Sequence, residues 1–290
     1  MKAEDEILAN MQHKTIVMTG ATSGLGRVAA LKLAEAGARV WVMCRNPLKG
    51  EELLKDFAYA ENESAGSIKL VSCDLTDLKT VVSACAHIMA DSPQIDALLN
   101  NAGVWIFKRR ETADGIETTF QVNVLAPLLI ARLLMPALRA AAGARVVNTA
   151  SAMHKGPIYW DDVELRAGYT GFKAYQQSKL ALILLTRLYA ARHAAEGIAH
   201  YSVHPGLVST DIGREGGWLA RAFFSVFGIS PEEGADTLLY LTNTDPALLE
   251  NGSYYIKRRP VGSATPLSRD LDAAARLEAL CLEYLRTWIQ

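Results

Sequence analysis

In the stretch KAYQQSKLAL, Tyr175 is followed four residues later by Lys179. On a helix these two side chains share one face, one turn apart. An ordinary tyrosine titrates at about 10, which is too high for good acid–base catalysis at neutral pH. An ammonium about 4 Å away is worth roughly 4 kcal/mol at an effective dielectric constant of about 20, enough to lower the tyrosine pKa by up to about 3 units. The pair therefore predicts a phenol that exchanges protons near neutrality; a solvated turn of an ordinary helix is the alternative reading of this motif alone.

A glycine-rich turn, TGATSGLG, follows a short β-branched segment and leads into a helical pattern. Gly20 permits the turn, and Gly24 and Gly26 let backbone approach a phosphate at the helix N-terminus, where free N–H groups and the positive dipole end lie. The spacing differs from the common G-x-G-x-x-G fingerprint. A turn without a ligand is the alternative, but strand, glycines and helix occur in the required order. The candidate phosphate-binding residues are Gly20, Thr22, Ser23, Gly24, Leu25 and Gly26.

Arg45 ends the second predicted strand, where NAD-binding proteins carry an acidic residue for the adenosine ribose. A guanidinium suits a 2′-phosphate and cannot accept a hydrogen bond from a ribose hydroxyl. We therefore expect NADP(H) to be preferred over NAD(H), with Lys49 assisting; a surface arginine is the alternative. Asp74, followed by Leu75, ends the third strand and is expected near the adenine amino group, as a helix N-cap, or in both roles.

Three later strand segments also end in small or polar residues. The fourth ends in NNAG, where Asn101, Ala102 and Gly103 leave room for a flat cofactor against the backbone. The fifth ends at Ser151. The sixth runs into HPGLVSTD, whose candidate cofactor contacts are Pro205, Gly206, Val208 and Thr210. Because ligands bind beyond the carboxyl ends of parallel strands, all these residues are expected at one site.

Short apolar segments alternate with helical patterns along the chain. The first helical pattern, LGRVAALKLAEAG, places Leu25, Val28, Ala29 and Leu33 on one face and ends at Gly37. The strand segments are TIVMT, RVWVMC, SIKLVSCD, DALLNNAG, ARVVNTAS and AHYSVHPG. This alternation predicts an α/β fold with a doubly wound, mostly parallel, Rossmann-like sheet flanked by helices. We expect a single NAD(P)-binding domain over residues 1–290, with a helical extension near 270–288.

Composition argues against several classes of protein. The 290 residues are 50% hydrophobic and carry a formal net charge of −1, so no overall basic field attracts nucleic acid or anionic membrane. The polar N-terminal segment lacks the apolar run of a signal peptide. The most apolar stretch, VLAPLLIARLLMPALRAAA, contains Arg132, Pro136 and Arg139, so a long buried helix explains it better than a membrane span.

The cysteines show no metal-ligand spacing, and we expect no metal. Free buried thiols in a reducing cytoplasm are the favoured reading, and a disulfide is the alternative. The four residues are Cys44, Cys73, Cys85 and Cys281.

Taken together, TGATSGLG, NNAG, Asn123 in QVNVLAP, Ser151, YQQSK and HPGLVSTD resemble the short-chain dehydrogenase/reductase superfamily, in its compact single-domain branch. Within it the chain looks most like the retinol-dehydrogenase-like group. That group shares CR after the second strand, a Ser-x-x-His segment (here Ser151 to His154), a Trp-Asp-Asp-like insertion and SKLA after the tyrosine. Membrane-bound members carry an N-terminal anchor, which this chain's polar start does not resemble, so we expect a cytoplasmic protein.

The resemblance implies roles for the candidate catalytic residues. Tyr175 would donate a proton to a substrate carbonyl while Ser151 supplies a second hydrogen bond. Lys179 would also bind the nicotinamide ribose, and Asn123 would help hold a water that connects Lys179 to solvent. A capping role for Ser151 and a buried helix-stabilising amide for Asn123 are the alternatives. The resemblance also implies a homodimer or homotetramer through the helices near 122–142 and 175–195, unless the chain's own sheet covers them.

Residues 212–229, IGREGGWLARAFFSVFGI, combine flexible glycines with apolar side chains. We expect a mobile lid over the substrate, with an ordinary packed helix as the alternative. Together with Trp105 and Phe107 after NNAG, this segment predicts a lipophilic substrate. The candidate substrate contacts are Trp105, Met153, His154, Trp218 and Phe223.

The sequence thus predicts an NADP(H)-dependent oxidoreductase that interconverts a carbonyl and an alcohol on a small lipophilic substrate, with Tyr175 as general acid/base. A cofactor-sensing regulatory protein on the same fold is one alternative, although such proteins often lose the tyrosine or lysine. A sugar-nucleotide epimerase is another, although it would use a different glycine spacing and usually a longer C-terminal domain.

Overall fold

Strands and helices alternate along most of the chain. The computed structural model describes residues 11–58, 66–206, 229–262 and 265–289. The strands found there are β1 (Thr15–Thr19), β2 (Arg39–Cys44), β3 (Ser67–Ser72), β4 (Ala97–Asn100), β5 (Arg145–Thr149), β6 (Ala199–His204), β7 (Tyr254–Ile256) and β8 (Arg259–Val261). The helices are α1 (Gly24–Glu35), α2 (Pro47–Ala58), α3 (Leu78–Asp91), α4 (118–133, with a π-helical turn at Gln121–Leu125), α5 (Met135–Arg139), α6 (Gly171–His193), α7 (Pro231–Asn243) and α8 (Leu271–Leu285).

The strands form one sheet in the order β3-β2-β1-β4-β5-β6-β7-β8. Neighbouring strands are parallel from β3 to β7, and β8 runs antiparallel to β7. The chain winds outward from β1 to β3 and then returns to β4 on the other side of β1. This reversal opens a crevice beyond the ends of β1 and β4, where open α/β sheets bind their ligands. The predicted doubly wound, mostly parallel fold is confirmed.

Both faces of the sheet are covered, which explains why the strands are almost continuously apolar. On β1, Ile16 and Met18 pack into a cluster with side chains of α1, α2 and α7. Val17, which points the opposite way, packs into a second cluster with side chains of α3, α4, α6 and α8. The first helical pattern also ends as expected, because α1 stops at Glu35 and Gly37 has a φ of +101°.

The apolar stretch that was expected to be one long buried helix is broken. Helix α4 ends at Leu133 and α5 begins at Met135. Pro136 causes the break, since it has no backbone N–H to continue the helical hydrogen-bond ladder. Across the described parts of the chain, no helix has both the length and the apolar character needed to span a bilayer.

The β7–β8 hairpin was not predicted. Its turn residues Lys257 and Arg258 have φ values of +48° and +62°, in the left-handed region that hairpin turns usually fill with Asn or Gly. The Arg258 guanidinium pairs with the Asp236 carboxylate of α7, with Nε 2.7 Å from Oδ2, and this contact holds the turn against the helix.

All four cysteines are free and buried, as expected. Cys44 and Cys73 end neighbouring strands but lie in the two different core clusters, on opposite faces of the sheet. Burial raises the pKa of the Cys73 thiol to about 12, so this group stays protonated and unreactive at neutral pH.

Candidate active site

The glycine-rich turn packs tightly against the chain that follows β4. Gly20 and Gly24 have φ values of +67° and +52°, which side-chain-bearing residues rarely adopt. A Cβ atom on Gly20 would lie 2.7 Å from the Ala102 Cα, and one on Gly26 would overlap the Gly20 carbonyl oxygen. Gly26 therefore lets the start of α1 pack against Gly20, and its expected part in the approach to a phosphate stays a prediction.

The N-terminus of α1 has the features of an anion site. Ser23 is the N-cap residue, with extended backbone, yet its side chain makes no capping hydrogen bond, and no acidic residue lies in the first turn. The first-turn N–H groups are thus not satisfied by a side-chain cap. Thr22 is half-buried and Ser23 is exposed, whereas Leu25 lies in the core and can offer a ligand only its backbone.

Arg45 and Asp74 lie at the ends of the adjacent strands β2 and β3. Arg45 is exposed and makes no hydrogen bond or ion pair with the residues that the structure describes. Asp74 accepts hydrogen bonds from the Thr76 backbone N–H (2.9 Å) and hydroxyl (2.8 Å), forming a local turn. The N-cap of α3 is Asp77, which accepts from the Lys79 N–H, so the N-cap alternative for Asp74 was wrong. Leu75 is half-buried beside this turn.

Hydrogen bonds join the ends of β1, β4 and β5. The Thr19 hydroxyl accepts from the backbone N–H groups of Asn101 and Ala102, both at 3.1 Å. The Asn101 side-chain amide donates to the Gly20 carbonyl at 3.0 Å and accepts from the Thr149 hydroxyl at 3.2 Å. Asn101 thus fixes three strand ends relative to one another, and the small residues Ala102 and Gly103 that follow it are half-buried.

Asn123 lies within the π-helical turn of α4 and is fully buried. Its amide pairs with both backbone groups of Val104, accepting from N–H at 2.8 Å and donating to the carbonyl at 2.9 Å. It also donates to the Ser178 hydroxyl at 3.0 Å. These contacts match the alternative of a structural amide, because they hold the segment after NNAG against α6. A Cβ on Gly103 would lie 3.2 Å from Lys179 Nζ and 3.5 Å from Asn123 Oδ1, so both polar groups border this glycine.

Tyr175, Ser151 and Lys179 come together at the end of β5. Tyr175 lies in the first turns of α6 and is 7% exposed. Hydrogen bonding links its hydroxyl to the Ser151 side chain. The Lys179 ammonium is buried, lies 5.5 Å from the centre of the Tyr175 ring, and donates to the Thr149 carbonyl at 2.8 Å.

The expected lowering of the tyrosine pKa is absent from the protein alone. Burial raises the pKa of Tyr175 to about 12, against a smaller lowering by the Ser151 hydrogen bond. Burial also lowers the pKa of Lys179 to about 8. From the sequence, an ammonium about 4 Å from the phenol was expected to lower the tyrosine pKa at an effective dielectric constant of about 20. In the structure desolvation sets both pKa directions, since both groups are removed from water.

An aromatic stack covers Tyr175. The Trp105 ring stacks on the Tyr175 ring with centroids 5.0 Å apart, and the Phe107 ring stacks on Trp105 at 5.3 Å. The buried indole N–H of Trp105 has no hydrogen-bond partner among the described residues. Trp105 is therefore next to the candidate proton donor, as a substrate-contacting residue would be.

Met153 and His154 belong to the turn that follows Ser151. The Met153 backbone N–H donates to the Ser151 hydroxyl at 3.2 Å. His154 is 2% exposed, its Nδ1 donates to the Ser151 carbonyl at 2.7 Å, and its ring packs edge-to-face on Tyr254 at 5.0 Å. The structure thus places both residues around Ser151, and His154 is a residue of the turn's interior.

Other candidates fall partly outside the described residues. Pro205 and Gly206 follow β6, and Gly206 has a φ of +96°. Val208, Thr210, Trp218, Phe223 and the expected lid up to residue 228 lie outside the described ranges.

Sequence reasoning missed two contributors to this site. Tyr254 enters from β7, a strand too short to give a periodic signal, and the Thr149 carbonyl that binds Lys179 leaves no trace in the side-chain pattern. A cleft of about 640 Å³ lies elsewhere, between residues 160–166 and α8, and none of the candidate catalytic residues lines it. The convergence of polar groups, rather than cavity size, marks the candidate site.

The sheet order, the glycine turn at the end of β1 and the buried Ser–Tyr–Lys cluster define an α/β protein of the dinucleotide-binding class. The profile of the family described as short chain dehydrogenase matches residues 14–217. Homo sapiens retinol dehydrogenase 12 is 36% identical over 277 residues, which cover 94% of this chain and 86% of that protein. Homo sapiens retinol dehydrogenase 11 is 34% identical over 245 residues, covering 83% and 76%. The chain belongs to the short-chain dehydrogenase/reductase family, in its retinol-dehydrogenase-like group.

Solved structures agree with this fold. An uncharacterised protein from Mycobacterium paratuberculosis superposes with a TM-score of 0.76 at 29% identity, over 96% of this chain and 97% of its own. The NADP complex of Pseudomonas aeruginosa RhlG has a TM-score of 0.69 at 24% identity, over 86% and 95%.

Proposed function

We propose that this protein is an NADP(H)-dependent oxidoreductase that interconverts a lipophilic aldehyde or ketone and its alcohol, with Tyr175 as general acid/base. The observation that carries the proposal is the convergence of Tyr175, Ser151 and Lys179 beside Gly103, which follows β4. A carbonyl oxygen placed between the Tyr175 and Ser151 hydroxyls would receive two hydrogen bonds that strengthen as its negative charge develops.

The residues present fit a nicotinamide dinucleotide phosphate. The α1 N-terminus, which lacks a side-chain cap, would bind the pyrophosphate, and Arg45, which pairs with none of the described residues, would bind the 2′-phosphate. The segment 101–103 would lie against the nicotinamide half. When bound, the cofactor supplies the hydride in reduction and a positively charged ring after it.

The chain's own groups handle the proton. In reduction, the substrate carbonyl carbon gains a hydride while Tyr175 donates its phenolic proton to the carbonyl oxygen, which yields the alcohol and a tyrosinate. The Ser151 hydroxyl stabilises the oxygen during this transfer. Lys179, whose ammonium lies over the Tyr175 ring, stabilises the tyrosinate until solvent returns the proton. By resemblance to the family, Lys179 also binds the nicotinamide ribose, and Asn123 helps order the water that leads to solvent.

Replacing Tyr175 by Phe tests this assignment. We expect Tyr175→Phe to lower kcat by about 10² to 10⁴, the usual contribution of general acid catalysis, with NADPH affinity within about threefold of wild type. Turnover is followed as NADPH consumption with a panel of aldehydes and ketones, and cofactor binding by fluorescence titration. Near-normal turnover by this variant would rule out Tyr175 as the proton donor.

Replacing Arg45 by Asp tests the cofactor preference. The change removes the partner of the 2′-phosphate, adds a repulsive charge and offers an acceptor to the ribose hydroxyl. Wild type should bind NADPH more tightly than NADH, and Arg45→Asp should reverse the order. RhlG and a metagenomic short-chain oxidoreductase were each solved with NADP, which supports a nicotinamide dinucleotide as the cofactor proposed here. Equal affinities of wild type for the two cofactors would show that Arg45 is only a surface residue.

The aromatic surroundings of Tyr175 support an apolar substrate. Trp105 and Phe107 form a stack of rings at the proton donor, and the curated relatives are named as retinol dehydrogenases. Four buried thiols fit a reducing compartment, and we propose the cytoplasm as the site of action. Turnover measured with a series of aldehydes of increasing chain length would test the substrate class.

A further inference from the structure

The turn after β5 is closed by the side chain of His154. Its Nδ1 lies 2.7 Å from the Ser151 carbonyl oxygen, and its backbone N–H reaches the same oxygen at 3.3 Å. A carbonyl oxygen only accepts, so Nδ1 carries the proton and donates. The Ser151 carbonyl is thereby held from two directions by one residue, three positions further along the chain.

This closure decides where the Ser151 hydroxyl points. Its oxygen accepts the Met153 backbone N–H at 3.2 Å, which leaves the hydroxyl proton to be donated elsewhere. Hydrogen bonding joins the same hydroxyl to Tyr175. The donor direction is therefore set by the backbone of residues 151–154, and a shift of that backbone would turn the hydroxyl away from the reacting oxygen.

The His154 ring is itself fixed from the opposite side. The ring packs edge-to-face against Tyr254 of β7, with centroids 5.0 Å apart and planes at 72°. Tyr254 is 2% exposed and packs with Ala150 and Ile183, so strand β7 and helix α6 support the contact. His154 is 2% exposed, which leaves its ring little freedom to turn.

We propose that His154 is a positioning residue of the active site: its ring N–H holds the Ser151 carbonyl, and through it aims the Ser151 hydroxyl at the oxygen that Tyr175 protonates. The assignment rests on the proposed oxidoreductase function. It gives His154 a role through the backbone of the turn, beside the expected role of this residue near the substrate.

Two polar substitutions separate positioning from packing. In His154→Asn the amide nitrogen takes the place of Nδ1 and can still donate to the Ser151 carbonyl. In His154→Gln the amide nitrogen takes the place of Nε2, from which it cannot reach the Ser151 carbonyl. We expect kcat of the Gln variant to fall about tenfold, part of the 10² to 10³ lost when such a donor is removed outright. The Asn variant should stay within about threefold of wild type, and KM and NADPH affinity should change little in either.

A double-mutant cycle with Ser151→Ala identifies the route of the effect. If His154 acts through the Ser151 hydroxyl, His154→Gln should cause no further loss of kcat once that hydroxyl is gone. The same substitution at exposed His87 of α3, His87→Gln, is the matched control and should leave all constants unchanged. Thermal unfolding of each variant verifies that the fold is retained.

Three outcomes would overturn the proposal: full activity of His154→Gln, equal losses in the Asn and Gln variants, or the same loss with and without the Ser151 hydroxyl. None of them touches the proposed function, which fails separately if Tyr175→Phe keeps near-normal turnover. Should His154→Gln not fold, His154→Asn is compared with wild type in the two Ser151 backgrounds. Retained activity of His154→Asn supports a donor at the Nδ1 position, and loss of activity in this variant contradicts the proposal.

Discussion

The residue that most shapes the surroundings of the candidate proton donor is Trp105. Its indole covers one face of Tyr175, while Phe107, 40% exposed, extends the apolar surface outward. Stacked aromatic rings give a substrate a flat apolar wall beside the reacting atoms. The buried indole N–H has no hydrogen-bond partner in the described chain.

Truncating Trp105 should change substrate selection more than it changes the chemistry. A ring that contributes about 60 Å² of apolar contact is worth about 1.5 kcal/mol, or roughly tenfold in binding. Trp105→Ala should thus lower kcat/KM for a bulky apolar aldehyde about tenfold more than for a small one, and Trp105→Phe, which keeps a ring, should lose less. Steady-state kinetics with a matched pair of aldehydes measures this ratio, with NADPH affinity as the control. An equal loss for both sizes would show that Trp105 serves only to pack Tyr175.

The sequence identified which residues meet at the site but not the electrostatics among them. Tyr175, Lys179 and Ser151 were predictable because motif spacing and strand ends bring them to one edge of the sheet. The pKa direction was not, since it depends on burial: both groups lose water, and the Lys179 ammonium lies over the ring with its hydrogen bond to Thr149. Gly26 shows the same limit, because only the folded turn reveals that a Cβ there would overlap the Gly20 carbonyl.

Between elements, a buried histidine pair joins α6 to β6. His193 Nδ1 and His200 Nε2 lie 2.9 Å apart, so one proton is shared between two rings. Tyr189 stacks beside both rings. Burial, and then the charge of His193, lower the pKa of His200 to about 3, while Glu196 opposes this weakly. The junction therefore requires at least one neutral imidazole.

This junction should make stability fall in mild acid. The folded pKa of His200 lies below its usual 6.5, so as pH falls below about 6.5 the unfolded chain binds a proton that the folded chain refuses, and stability is lost down to about pH 3. Between pH 7 and pH 5 the loss from this group is about 2 kcal/mol. Urea unfolding at the two pH values measures it. His200→Phe should be less stable at pH 7 but should lose about 2 kcal/mol less on going to pH 5; identical pH dependence of the two proteins would contradict this account.

The strands were predictable where apolar segments alternate with helical patterns along the chain. The six predicted segments that correspond to β1 to β6 are short, mostly apolar and separated from one another by helical patterns, and all six are strands. The strands β7 and β8 have three residues each and a Lys257–Arg258 turn without glycine, so neither length nor turn chemistry pointed to them. Their hairpin depends on distant contacts, above all that of Arg258 with Asp236.

At the scale of the whole molecule, α8 covers the helix that carries Tyr175 and Lys179. Of the 23 residues of α6, 17 are buried, so the helix has no broad solvent-facing stripe. Glu278 of α8 accepts a hydrogen bond from Tyr189 at 2.5 Å and pairs with Arg192 at 2.5 Å, both on α6. Leu277 and Cys281 are fully buried in the same cluster as Leu184 of α6. The outer face of α6, which the family resemblance suggested for a helix-bundle dimer, is thus packed against the chain's own C-terminal helix.

We therefore expect no dimer through α6. Light scattering on a sizing column measures the mass in solution, and Ala191→Arg, a bulky charge at an exposed position of α6, should change neither mass nor stability. A dimer that Ala191→Arg converts to monomers would show instead that α6 still forms an intersubunit interface.

The covering helix itself should matter for stability: Leu277→Ala removes a fully buried side chain and should cost about 2 to 5 kcal/mol in urea unfolding. Because this cost arises from packing between α8 and α6, an unchanged unfolding midpoint would mean that α8 does not hold the helix that carries the candidate catalytic pair.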